Sequence, residues 1–165
     1  MTTLVDDFVA LVREYVALVD RANAGSAYAF LRSCASVLPR IYATGLDLPD
    51  SSPTGDETEP VIESPLRRLG DLLGRYDTYS EVFDPYIDEP PVSVSLADDL
   101  ADVYLELARP LRVFDNGRVA DATWDWAFAI RGHCGDHLVD ALRAIHRALN
   151  SHMPFDYVAD GDAAR

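Results

Sequence analysis

Arg131, His133, Cys134, Asp136, His137 and Asp140 crowd into ten consecutive positions near the C-terminal end of a 165-residue chain. His133 and His137 stand four apart, one above the other on a helix face, the spacing that lets two imidazoles reach one metal ion. Asp140, Asp99 or Asp102 would supply a third ligand, and a divalent ion held this way activates water for hydrolysis. Asp99, Asp102 and Glu106 recur three and four residues apart, so they line an acidic ridge on an earlier helix. Arg131 falls on the apolar seam of the last helix, where an unpaired guanidinium is costly to bury, and the ridge is its expected partner. A blander reading stands first: histidines in packed bundles serve mostly as hydrogen-bonded structural groups, with no cofactor. His146, near the same seam, is read as a satisfied core histidine.

Several chemistries are excluded by what the chain lacks. The HExxH signature is absent because Asp136 occupies a different place, and no Glu-x-x-His pair of a di-metal carboxylate bundle occurs. Helical nucleotide pyrophosphohydrolases need two acidic pairs; Asp99 and Asp102 make one, and the second is missing. There is no GxSxG and no glycine-rich phosphate loop. All 14 basic residues are arginines, which removes Schiff-base chemistry and the lysine of a phosphate loop. Cys34 and Cys134 form no CxxC pair and read as buried free thiols.

The elements that must carry these residues follow from apolar periodicity. Leu4, Phe8, Leu11, Tyr15 and Leu18 mark an opening helix closed by Asn23, Ala24 and Gly25. A second helix from Ser26 carries two apolar stripes, with a kink or break expected just before Pro39. Residues 49–63 read as a mobile acidic loop. Ser64 and Pro65 open a short helix that Gly74 ends. The stretch after it reads as irregular backbone anchored to the bundle by Tyr76, Tyr79, Phe83 and Tyr86. Ser95 with Asp98 resembles a capping box opening the ridge helix, whose apolar face is Leu96, Leu100, Val103, Leu107 and Leu111. Asn116 and Gly117 turn the chain into one long helix from about 118 to 150, with Trp124, Phe128, Gly135, Leu138, Leu142, Ile145 and Leu149 along its seam. The expectation is an all-α single domain over 1–150, a bundle of about five helices with a long C-terminal helix, and a poorly ordered tail over 151–165.

Composition is globular, 48% apolar and 25% charged, and no apolar run reaches membrane-spanning length. The start carries acids where a secretory signal carries bases, so a cytoplasmic protein is expected. The formal charge of −14 is regional: residues 47–117 hold 17 acids against five arginines. That segment repels nucleic acid and anionic membranes and suits a protein partner with a basic surface. A homodimer through a spare apolar stripe of the second or last helix is compatible with either reading.

SLADDLADVYLEL and WDWAFAIRGHCGDHLVDALRAIHRAL, with FLRSCASVLPRIYATGLDLP and LGRYDTYSEVFDPY, resemble a bacterial family described as domain of unknown function 5063. The family's last helix reads His-Trp-Gly-x-His; His133, Gly135 and His137 keep that pattern, and Cys134 stands at the Trp position. The resemblance implies a small all-helical fold and no activity. The residues then leave two functional expectations, a non-enzymatic interaction module and, behind it, a metal-binding protein or hydrolase using His133, His137 and nearby aspartates.

Overall fold

A computed structural model of the protein describes residues 3–22, 25–54 and 60–150. Among them are six α-helices and one small hairpin: α1 Leu4–Asp20, α2 Ala27–Leu46, α3 Leu66–Leu73, β1 Thr78–Glu81, β2 Val92–Ser95, α4 Leu96–Asp115, α5 Val119–Ile130 and α6 His133–Asn150. The expected helical single domain is present, mostly helical with one small two-stranded sheet, and α6 is its last described helix. Asn23, Ala24 and the tail over 151–165 lie outside the described residues. No described helix is long and apolar enough to cross a membrane.

Local chemistry explains most boundaries. The side chains of Thr3, Ser26 and Ser95 each accept a hydrogen bond from a backbone N–H in the first turn of α1, α2 and α4. Gly74, at φ +53°, ends α3, and Gly117, at φ +83°, follows α4. Helix α2 is not broken at Pro39: the ring lies on the exposed side, and Leu31, Cys34, Val37, Leu38 and Ile41 are buried on both sides of it, so packing holds the helix through the missing N–H.

The core gathers around Trp126, wholly buried, with its ring edge-on to Phe8 at 5.4 Å and its indole N–H donating to the Leu107 carbonyl at 3.1 Å. Tyr15 is equally buried and donates to the Leu100 carbonyl at 2.8 Å. All five expected apolar residues of α4 are buried. Helix α4 is therefore the post against which α1, α5 and α6 pack.

Three expectations need correcting. The helix expected over 118–150 is two helices, separated at Arg131 and Gly132. The N–H of Gly132 bonds the Ala129 carbonyl, a tighter turn than an α-helix makes, and Gly135 then passes close under the Ile130 carbonyl. The break resets the helical phase, so Trp124 and Phe128 stack on each other in solvent, 39% and 69% exposed, while Trp126 and Ile130 are buried. The stretch after α3 is not wholly irregular, because β1 and β2 pair antiparallel, Thr78 opposite Ser95. Of its aromatics, Tyr79 packs on the core, whereas Phe83 and Tyr86 are 81% and 97% exposed at the hairpin's tip. The acidic loop is fastened at its start: Leu48 is buried, Ser51 donates to the Ala120 carbonyl, and Thr54 bonds Asp121. Residues 55–59 lie outside the described residues.

A Cβ at Gly135 would sit 2.2 Å from the Ile130 carbonyl oxygen, whereas one at Gly70, inside α3, would meet nothing within 4 Å. Gly135→Ala is expected to destabilise by about 1–3 kcal/mol or more through forced backbone movement. Gly70→Ala is expected to stabilise by roughly 0.5–1 kcal/mol through helix propensity. Urea unfolding of the two variants checks both signs.

Candidate metal centre

Helices α4 and α6 pack side by side, and the charged residues of both meet on one flank of their interface. Asp99 and Glu106 are seven residues apart, two turns or roughly 10 Å along α4. His133 and His137 are one turn apart at the start of α6. The pairs cross in opposite order: His137 Nδ1 lies 2.8 Å from Asp99 Oδ1, and His133 Nδ1 lies 2.6 Å from Glu106 Oε1. An ionised carboxylate only accepts, so both imidazoles donate from Nδ1, and in its neutral form each carries its lone pair on Nε2.

Those lone pairs converge. The two Nε2 atoms are 3.1 Å apart, and Asp102 Oδ2 is 3.5 Å from that of His137. One ligand atom from each of Asp102, His133 and His137 lies within 4.8 Å of the others. Tetrahedral zinc bonds of about 2.0–2.1 Å imply ligand-to-ligand edges of roughly 3.3–3.4 Å, between the 3.1 Å and 3.5 Å spacings found at His137 Nε2. Unshared acceptors at such distances repel, and a proton or a cation between them removes the repulsion. The three residues thus have the donor set and spacing to hold one divalent ion, with Asp99 and Glu106 behind the imidazoles as their orienting carboxylates. The His133 side chain is 66% exposed and that of His137 only 21%, so the centre is anchored inside and open outward.

A second layer comes from the hairpin. Tyr79 and Glu81 alternate on β1 and so point the same way. Tyr79 donates to Asp99 Oδ2 at 2.7 Å and lies 3.3 Å from Glu81. Burial, then the bond to Asp99, pushes its phenol well above the usual range, so it stays a donor. Glu81, only 7% exposed, shares a hydrogen bond with Asp140. Arg143 of α6 clamps the hairpin through the Ser80 carbonyl at 2.9 Å.

The expected site residues therefore separate. Asp99, Asp102, Glu106, His133 and His137 come together. Asp140 does not reach the imidazoles' converging face and pairs with Glu81 instead. Arg131 does not meet the ridge: the turn at 131–132 swings it to the loop before α3, where it bonds Asp50 at 3.2 Å and the Leu48 carbonyl at 3.0 Å. His146 is exposed beside Asn150 and not in the core. Cys134 is buried, and burial pushes its thiol far up, as it does Cys34; neither is a nucleophile. Tyr79 and Glu81 were missed, although their alternation is the strand signal that could have found them. A groove of about 650 Å³ between α3 and α4, lined by Arg67, Arg68, Tyr104 and Arg112 among others, lies apart from these residues.

Fold and site together define a mostly helical single domain with a histidine and aspartate cluster between its fourth and sixth helices. The chain belongs to the family described as Domain of unknown function (DUF5063), whose model matches residues 1–151. Its fold is similar to the crystal structure of protein BF1032 from Bacteroides fragilis, with a TM-score of 0.75 and 23% identity over 92% of this chain and 98% of that one. No curated protein matches.

Two titrations follow. The bond to Asp99 raises the His137 pKa against the opposing effect of burial, so its stabilisation is complete below the usual histidine value of 6.5 and is lost as pH rises through the higher folded value. Burial, then the charge of Glu81, pushes Asp140 up from 3.8 to about 6. A raised carboxyl likewise stabilises most when protonated, so its contribution is full below pH 3.8 and is lost by about 6. Urea midpoints of the parent and Asp140→Asn, measured from about pH 4 to 7, are expected to shift in the variant's favour as pH rises. A constant difference across that window contradicts the shared proton.

Proposed function

We propose that this protein binds one divalent transition-metal ion through His133 Nε2, His137 Nε2 and Asp102, and that the ion's open side activates water for hydrolysis. The observation that carries the reading is the orientation of the imidazoles. Each Nδ1 is committed to a carboxylate, which fixes the tautomer and aims both Nε2 atoms at one point beside Asp102. A shared proton or a bound cation would each relieve the approach of the two Nε2 atoms, and the adjacent Asp102 carboxylate adds a third donor atom suited to a cation. Three protein ligands leave a coordination position for water, the arrangement of catalytic rather than structural zinc. Two nitrogen donors favour zinc, nickel, cobalt or iron(II) over magnesium and calcium.

A docking role has separate support in the exposed Trp124 and Phe128 stack, rings 5.2 Å apart. A second copy of the chain meeting this pair would appear in light scattering as a dimer that Phe128→Ser dissolves. The buried free thiols suit a reducing compartment, in keeping with the cytoplasm.

Metal analysis and calorimetry on the purified full chain test the principal reading. One equivalent of zinc is expected, with a raised melting temperature and little response to magnesium. His137→Ala is expected to abolish binding, and Asp99→Asn or Glu106→Gln to weaken it by roughly 10–100-fold. Affinity should fall as pH drops through the histidine range, since protons compete for Nε2. Zinc binding undiminished in His137→Ala would sink the assignment.

A further inference from the structure

The acids around the candidate centre restrict what can approach its open side. Asp102 lies within ion-pair distance of His137; Asp99 and Glu106 bond the two imidazoles directly. Asp98, exposed in the first turn of α4, stands four residues before Asp102 and so one turn away on the same helix face. The charges acting on His137 are likewise Asp99, Asp102 and Glu106. Arg143, which bears on Asp140, is turned to the Ser80 carbonyl. Four carboxylates outweigh one divalent cation, so the centre keeps a net negative charge with the metal in place. Catalytic sites that handle phosphate or carboxylate groups offset such negative charge with arginine, lysine or a second cation.

Resting on the metal reading, the geometry points to a substrate or ligand that is neutral or cationic where it meets the ion: an amine, a heteroaromatic nitrogen or an uncharged amide carbonyl. Phosphoesters, nucleotides and free carboxylates are turned away. The exposed edge of His133 leaves room for such a group to approach from solvent. Its bond to Glu106 keeps that imidazole from swinging toward an incoming anion as a donor. Long-range attraction works in the same direction, since a negatively charged opening raises the local concentration of cations and depletes anions.

Cobalt(II) in place of zinc makes the open position visible through its absorption bands. The full chain, loaded with one equivalent of cobalt, is titrated with imidazole as the neutral donor and with azide and inorganic phosphate as anions. Imidazole is expected to change the bands, and neither anion is expected to do so at the concentration where imidazole saturates. Asp98→Asn, which touches no ligand, is expected to strengthen azide binding roughly three-fold and leave imidazole unchanged, the effect of removing one nearby charge through a watery medium. Azide or phosphate binding to the parent as tightly as imidazole overturns the inference and leaves the metal reading standing. Equal shifts for both probes in Asp98→Asn overturn its electrostatic origin. Absence of cobalt bands in the parent overturns the metal reading itself, and this inference with it.

Discussion

The backbone of Gly135 runs so close beneath the carbonyl of Ile130 that no side chain fits between them, and much of the molecule hangs on that contact. It closes the turn at Arg131 and Gly132, ends α5 and starts α6 on a new axis. One consequence is the phase of α5, with Trp126 and Ile130 inward against Phe8 and Trp124 and Phe128 outward. Another is that His133 and His137 occupy the first two turns of a helix lying along α4. A continuous helix would have kept Arg131 on the seam. The turn instead directs it to Asp50 and Leu48, where it fastens the loop that leaves α2.

Asp99 is the polar counterpart of that contact. It is only 4% exposed, and a carboxylate so placed is costly unless every oxygen is served. His137 serves one oxygen and Tyr79 the other. The hairpin is thereby drawn onto the bundle, bringing Glu81 against Asp140. Breaking any one of these bonds would leave a buried charge short of a partner. The network therefore specifies an arrangement more than it adds stability, in the way buried polar groups fix register elsewhere.

How much of this could be read from the residues depended on the range of the interaction concerned. Caps are local: Ser26 and Ser95 bond the N–H three residues on, and both helix starts were legible. Apolar periodicity is local as well, so the buried face of α4 was recognisable at all five positions. The acidic ridge and the i, i+4 histidines were visible as faces of separate helices. Their meeting was not, because it depends on a turn whose glycines look, in the string, like tolerated interruptions of one helix. The hairpin escaped notice for a related reason: its strands are four residues each, ten residues apart, and they exist because α4 and α6 give Tyr79 and Glu81 something to bond.

Alone, the sequence determined the helical class, the size of the core, the helix caps and the regional acidity, since these follow from each residue's own chemistry and that of neighbours within a turn or two. Only the tertiary structure decided which acids face which histidines. A helix carries its residues at fixed angles, but the rotation of one helix against another is set by packing. Here one glycine under one carbonyl turned His133 toward Glu106 and His137 toward Asp99, and left Arg131 and Asp140 to other partners.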